Sequence, residues 1–266
     1  MTRRARLLLL SLGAPVASGA QERRATVAVL GAIPVEVELL RARLQHPVVR
    51  TIGGIEFAEG LLAGRRVVVA RVGVGKVNAA MTTTLLLEHY RPRRVIFTGV
   101  AGALDTTLAP GDLVLGSYAA QHDLGAWDAR GMTNATNDSA TAITSNPVRF
   151  PGDTLLLRVA RTVAGARTGW HVREGGVLTG DVFLANDSVR RDLRRRFPDA
   201  LAVEMEGAAV AQVCWQQGRV PLLVVRSISD GAGAKARETF AQFVRRAAER
   251  SSELVTRIVA GVPASR

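Results

Sequence analysis

Three carboxylates stand where two apolar runs end. Residues 200–206 read Ala-Leu-Ala-Val-Glu-Met-Glu and residues 222–230 read Leu-Leu-Val-Val-Arg-Ser-Ile-Ser-Asp, so Glu204, Glu206 and Asp230 close strand-like stretches. In an open α/β sheet, ligands collect outside the carboxyl ends of the strands. A carboxylate in that place holds a sugar diol or passes a proton to a heterocyclic nitrogen. A structural role is also open to Glu204 and Asp230, as caps of a helix and a turn. Upstream, Glu36 follows Gly31-Ala32-Ile33-Pro34-Val35, where an acid in a first helical turn complements the helix dipole. Arg71-Val72-Gly73-Val74-Gly75-Lys76 sets two glycines before a helix. That stretch is not a Walker loop, which needs a wider glycine spacing and a Ser or Thr after the lysine.

These residues need elements to hold them. Thr26–Leu30 is a short β-branched run that predicts a buried strand, and Pro34 suits the first turn of a helix reaching Leu44. Phe57–Leu62 and Arg66–Arg71 read as strands joined by a hairpin at Ala63-Gly64. Further strands are expected at Arg94–Thr98, Leu113–Ala120, Trp170–Leu178 and Leu222–Ile228. Helices are expected at Val77–His89, Thr154–Val163, Asp187–Phe197, Glu206–Gln216 and Thr239–Ala260. Residues 131–152 are rich in Gly, Asn, Thr, Ser and Pro without hydrophobic period, which predicts a mobile loop or lid. The alternation implies one α/β domain over residues 21–266: a three-layer α/β/α sandwich around a mixed, largely parallel twisted sheet.

Composition narrows the function classes. Aromatic residues make up 5% of the 266, too few for a platform that stacks single-stranded nucleic acid. The formal net charge is +12 and is carried almost wholly by arginine, Lys76 and Lys235 being the lysines. The densest group, Arg190, Arg191, Arg194, Arg195 and Arg196, has helical spacing and reads as a solvated face, so no specific nucleic-acid partner is expected. One cysteine, Cys214, excludes an intramolecular disulfide and sits in an apolar helical stretch as a core thiol. His46, His89, His122 and His171 are scattered without ligand spacing, so neither a metal nor a cofactor is expected. Residues 1–20 set Arg3, Arg4 and Arg6 before a short leucine-rich run and end on Ser18-Gly19-Ala20, the three-part layout of a secretory signal. That run is too short to span a bilayer, so a secreted or periplasmic protein without stable membrane insertion is expected.

Taken together, the motifs resemble the nucleoside phosphorylase/nucleosidase superfamily and, within it, the methylthioadenosine/S-adenosylhomocysteine nucleosidases. The resemblance runs over roughly residues 26–258. Gly31-Ala32 with Glu36 five residues after the glycine is similar to the family's opening turn and its water-activating glutamate, with Ile33 beside the ligand. Gly73-Val74-Gly75-Lys76 resembles the Gly-x-Gly-Lys turn and sets Val74 towards the ribose 5′ substituent. Gly99-Val100-Ala101-Gly102 is similar to the Gly-Ser-Ala-Gly loop, with Val100 in place of the family serine. Thr179-Gly180-Asp181-Val182-Phe183-Leu184 resembles the Ser-Gly-Asp-x-Phe segment, in which Phe183 would stack on adenine and Leu184 offer backbone hydrogen bonds. By the same resemblance Glu206 accepts from the 2′ and 3′ hydroxyls, Met205 packs on the sugar and Asp230 protonates purine N7. Glu204, Arg226 and Ser229 support them.

The resemblance implies hydrolysis of the N-glycosidic bond of a 5′-substituted adenosine, in a homodimer whose second subunit closes the 5′ pocket. Superfamily phosphorylases carry arginines around the glycine turns, whereas the turn after Gly31 offers Pro34, Val35 and Glu36. Water is therefore expected as nucleophile, with a phosphate-dependent phosphorylase as the alternative. A non-catalytic extracytoplasmic nucleoside-binding protein is the other alternative, which Val100 keeps open.

Overall fold

A computed structural model describes residues 27–129, 131–134 and 146–263. The expected signal segment, residues 1–20, and residues 135–145 of the expected loop lie outside the described residues. In chain order the elements are β1 (Val27–Gly31), α1 (Pro34–Ala42), β2 (Gln45–Ile52), β3 (Ile55–Leu62), β4 (Arg65–Arg71), α2 (Lys76–Tyr90), β5 (Val95–Ala103) and β6 (Leu113–Gln121). Then come β7 (Gly125–Asp128), β8 (Gly131–Asn134), β9 (Phe150–Pro151), α3 (Thr154–Gly165), β10 (Val172–Thr179) and α4 (Asp187–Arg196). The chain closes with β11 (Ala200–Glu204), α5 (Gly207–Gln216), β12 (Leu222–Asp230) and α6 (Ala236–Gly261).

The main sheet runs β11-β10-β6-β12-β5-β1-β4-β3-β2, with β9 paired to β6. It is mixed: β12, β5, β1 and β4 form one parallel block and β6, β10 and β11 another, joined by the antiparallel β12–β6 pair. Along β1, Val27 and Val29 face one core while Ala28 and Leu30 face the other, the period of two that a pleated strand dictates. Both faces are buried, so the strand reads as an unbroken apolar run. Helices α2 and α5 cover one face through Leu86, Leu87, Val210 and Cys214. Helices α1, α3 and α6 cover the other through Val37, Leu40, Leu156, Ala160, Leu254 and Ile258. This is the expected α/β/α arrangement.

Strand β11 adds a feature that positions the site. Besides its parallel partner β10 it pairs antiparallel with the end of β5, Ala202 opposite Ala103 and Val203 opposite Gly102. Strands β5, β12, β6, β10 and β11 thus close on themselves, and the carboxyl ends of both blocks meet at one point. The 63–64 hairpin forms as expected, with φ of 49° at Ala63 and 74° at Gly64, the positive pair a type I′ turn requires. Within the stretch expected as loop, 131–134 instead forms strand β8, paired with β7, and Phe150–Pro151 pairs with β6. No helix among the described residues is long and apolar enough to cross a membrane.

Candidate active site

A cavity of about 460 Å³ opens where these strand ends meet, within the usual range for small-molecule sites. Ile33, Val74, Val100, Ala101, Gly102 and Phe183 line it, together with Glu204, Met205, Glu206, Ser229 and Asp230. Leu184 lines a small adjoining recess shared with Phe183, Met205 and Asp230. Glu36 and Arg226 are not in its lining; Glu36 accepts from the amides of two residues that are, Ile33 and Val100. Sequence reasoning missed Ala32, Val203, Arg237 and Phe240 in the lining. The ring of Phe240 packs edge-on to Phe183 at 5.6 Å, and the Arg237 guanidinium lies 5.4 Å from the Phe183 ring. Both come from the first turns of α6, whose start the hydrophobic period alone set three residues too late.

Glu36 is buried in the first turn of α1 and turns back on the loop before it. Its Oε2 accepts from the amides of Ala32 at 2.6 Å and Ile33 at 3.0 Å, and its Oε1 accepts from the amide of Val100 at 2.9 Å. Burial raises the carboxyl above its ordinary pKa, and Arg226 with the three amides draws it partly back. Gly99 is what lets these groups meet. A methyl group at that position would overlap Arg226 Nη1 and stand 2.5 Å from Glu36 Oε1. A cation and a base therefore reach the same point beside Gly99, midway along β5.

Glu204 anchors the opposite side. Its carboxylate accepts from Thr179 Oγ1, from the amide of Gly207 at 2.9 and 2.8 Å, and from Arg226 Nη2. It therefore caps the start of α5 and pairs with Arg226 at once. Arg226 is fully buried and stacks on Phe97 at 4.1 Å. Glu206 occupies the N-cap position of α5 without capping it, and accepts instead from the amide of Gly75 at 2.8 Å. Burial first, and then the charge of Glu204, raise its pKa. Asp230 accepts from Ser229 Oγ at 2.9 Å and from the amide of Ala232 at 2.8 Å, and burial raises its pKa as well. Three buried acids with raised pKa, one of them beside a buried cation, are the pattern of proton-transfer chemistry. Among the described residues no cluster could hold a metal ion.

This α/β/α fold with buried acids at one cavity is that of a known class, and the chain belongs to the phosphorylase superfamily, whose family model matches residues 26–260. It is 37% identical over 233 residues to the 5′-methylthioadenosine/S-adenosylhomocysteine nucleosidase of Bacillus cereus strain B4264, covering 88% of this chain and 97% of that one. The structure of the Neisseria meningitidis nucleosidase with methylthio-immucillin-A superposes with a TM-score of 0.80 at 36% identity, over 90% of this chain and 100% of that one. Futalosine hydrolase of Helicobacter pylori strain 26695 superposes with a TM-score of 0.79 at 29% identity, over 91% and 100%.

Proposed function

We propose that the protein hydrolyses the N-glycosidic bond of 5′-substituted adenosines of the methylthioadenosine/S-adenosylhomocysteine type, releasing adenine. The observation that carries this reading is the meeting of Glu206 and Asp230 on one largely apolar cavity, with the buried Glu36 accepting from the amides of two of its lining residues, Ile33 and Val100. Cleavage requires that the base leave neutral and that the sugar carbon bear positive charge. Asp230, whose pKa burial raises, gives its proton to purine N7 as the C1′–N9 electron pair moves into the base. Glu206 holds the 2′ and 3′ hydroxyls and sets negative charge beside the developing cation, the electrostatic contribution that is often the largest. Glu36 takes a proton from a water that attacks C1′, and Arg226 Nη1, which has no acceptor among the described residues, is beside it to orient that water. The products are adenine and the 5-substituted ribose.

Phe183 stacks on the base, and Ile33 and Val74 form the apolar wall for the 5′ group. Water rather than phosphate is supported by the nucleophile side, where Arg226 is paired with Glu204 through Nη2 and the Glu36 carboxyl stands beside Nη1. The test is turnover in ¹⁸O-labelled water: label on the sugar C1 oxygen supports hydrolysis, and unlabelled sugar phosphate formed only with added phosphate would replace it by phosphorolysis.

The working form is a homodimer. Val74, Val77, Met81, Leu124 and Trp127 are exposed apolar residues, with Val74 at the cavity itself, and they supply surface for a second copy. Light scattering of the purified protein decides this. The layout of residues 1–20 supports export and a role in extracytoplasmic purine salvage. A mature N-terminus at Gln21 in the periplasmic fraction would bear this out, and the unprocessed chain in the cytosol alone would count against it.

A further inference from the structure

The glycine turn before α2 is tied down by charges that no step of the reaction uses. Lys76 Nζ lies 2.7 Å from Asp123 Oδ1 and 3.7 Å from Asp181 Oδ2. The backbone joins in: the amide of Lys76 donates to Asp181 Oδ1 at 2.7 Å, and the amide of Asp181 donates to Asp123 Oδ2 at 2.9 Å. Three segments are so bound together: the turn after β4, the end of β6 and the segment after β10 that carries Phe183. Asp123 is held below the usual carboxylate range because Lys76 and the Asp181 amide outweigh its burial. The side chains are only partly exposed, 19% for Lys76 and 30% for Asp123, so the pair is less screened than a free surface pair.

One residue before Lys76, Gly75 has a φ of +94° and aims its amide at Glu206 Oε1. A side chain there would be strained in backbone and would press on Asp181 Oδ1 at 3.2 Å. The direction of this N–H is thus set by a glycine on one side and an ionic clamp on the other. We propose that Lys76, Asp123 and Asp181 are positioning residues that hold the Gly75 amide against Glu206 and so align Glu206 for the sugar diol. The proposal rests on the nucleosidase reading for the identity of the diol, and on geometry alone for the clamp.

Asp181→Ala and Lys76→Met are compared with the wild-type chain for kcat and KM on 5′-methylthioadenosine, for the pH profile, and for amide exchange in the 73–76 turn. A displacement of about 1 Å in a positioning group costs up to about 100-fold, so kcat/KM falls by about 10- to 100-fold in each variant. The double variant falls no further, because both changes break one clamp. Glu206 faces Glu204 from β11, Arg226 from β12, Glu36 from α1 and the Gly75 amide. Loss of that amide disfavours the ionised form, so the acid limb of kcat/KM moves to higher pH, an effect that a purely structural role would not give. Exchange in the turn accelerates. Unchanged exchange, or an acid limb that stays in place, overturns the proposal. If Asp181→Ala does not fold, the same shift of the acid limb is required of Lys76→Met. If the wild-type protein releases no adenine, the nucleosidase reading fails separately. The clamp is then judged on exchange alone, faster in Asp181→Ala if it is right and unchanged if it is wrong.

Discussion

Replacing Arg226 by Met tests the electrostatics beneath the cavity. The guanidinium is fully buried, pairs with the equally buried Glu204, stacks on Phe97 and is the strongest influence drawing the pKa of Glu36 downward. Met fills most of the space and keeps contact with the ring. What is lost is the cation, which leaves Glu204 as an uncompensated buried charge, and breaking a buried pair in this way costs about 3–5 kcal/mol. For a domain of this size each kcal/mol moves Tm by about 2–4 °C, so calorimetry is expected to show a fall of about 6–20 °C. Glu36 must be ionised to accept a proton from water. Its pKa is already raised by burial and rises further without Arg226, so activity disappears at a higher pH on the acid side of the kcat/KM profile. Adding Glu204→Gln removes the stranded charge and recovers part of the lost Tm, while the acid limb stays displaced. A loss of stability below about 1 kcal/mol, or a profile that superposes on wild type, would refute the reasoning.

Other outcomes follow from the same geometry. Asp230→Asn removes the general acid, so kcat is expected to fall by about 10²–10⁴-fold with little change in KM; steady-state adenine release checks this. Because burial raises the pKa of Asp230, the wild-type kcat/KM falls on the alkaline side as that acid ionises, and this limb is absent in the variant. Gly99→Ala forces a methyl group against Arg226 and Glu36, and such overpacking costs about 1–3 kcal/mol; calorimetry and turnover should both register it. Burial pushes the Cys214 thiol up to about 12, so iodoacetamide should leave it unmodified in the native protein and alkylate it after unfolding, as followed by mass spectrometry.

Much of the fold was legible because both faces of β1, β5 and β12 are buried, so that β1 and the first halves of β5 and β12, Val95–Phe97 and Leu222–Val225, read as apolar runs. Strand β2 was not legible from hydrophobic pattern. It lies at the sheet edge with nearly every residue exposed, carries Pro47, and shifts register against β3 between Gln45 and Val48. A signal was nonetheless present: Gly53-Gly54, with φ of 58° and 79°, is the hairpin dipeptide that joins β2 to β3. Strands β7 and β8 pair only with each other and bury little, so nothing in their composition marked them.

At the site, the motifs grouped Glu36, Glu204, Glu206 and Asp230 in advance because Glu204 and Asp230 end strands, Glu206 opens the helix after β11 and Glu36 lies in the first turn of the helix after β1. The closure of β11 onto β5 could not be read, since it depends on long-range antiparallel pairing of two short segments. Phe240 and Arg237 were missed because they look like ordinary residues of an amphipathic helix until the start of α6 is seen to face the cavity. The clamp of Lys76 with Asp123 and Asp181 joins residues that no sequence spacing connects.

The central claim is that Glu36 activates water for cleavage of an adenine nucleoside. Initial rates of adenine release from 5′-methylthioadenosine by wild-type protein and by Glu36→Gln, each with and without phosphate, test it most directly. The account predicts release by wild type at the same rate in either buffer, and loss of about 100-fold or more in the variant while nucleoside binding persists. Release that requires phosphate, or a Glu36→Gln protein as fast as wild type, would contradict it.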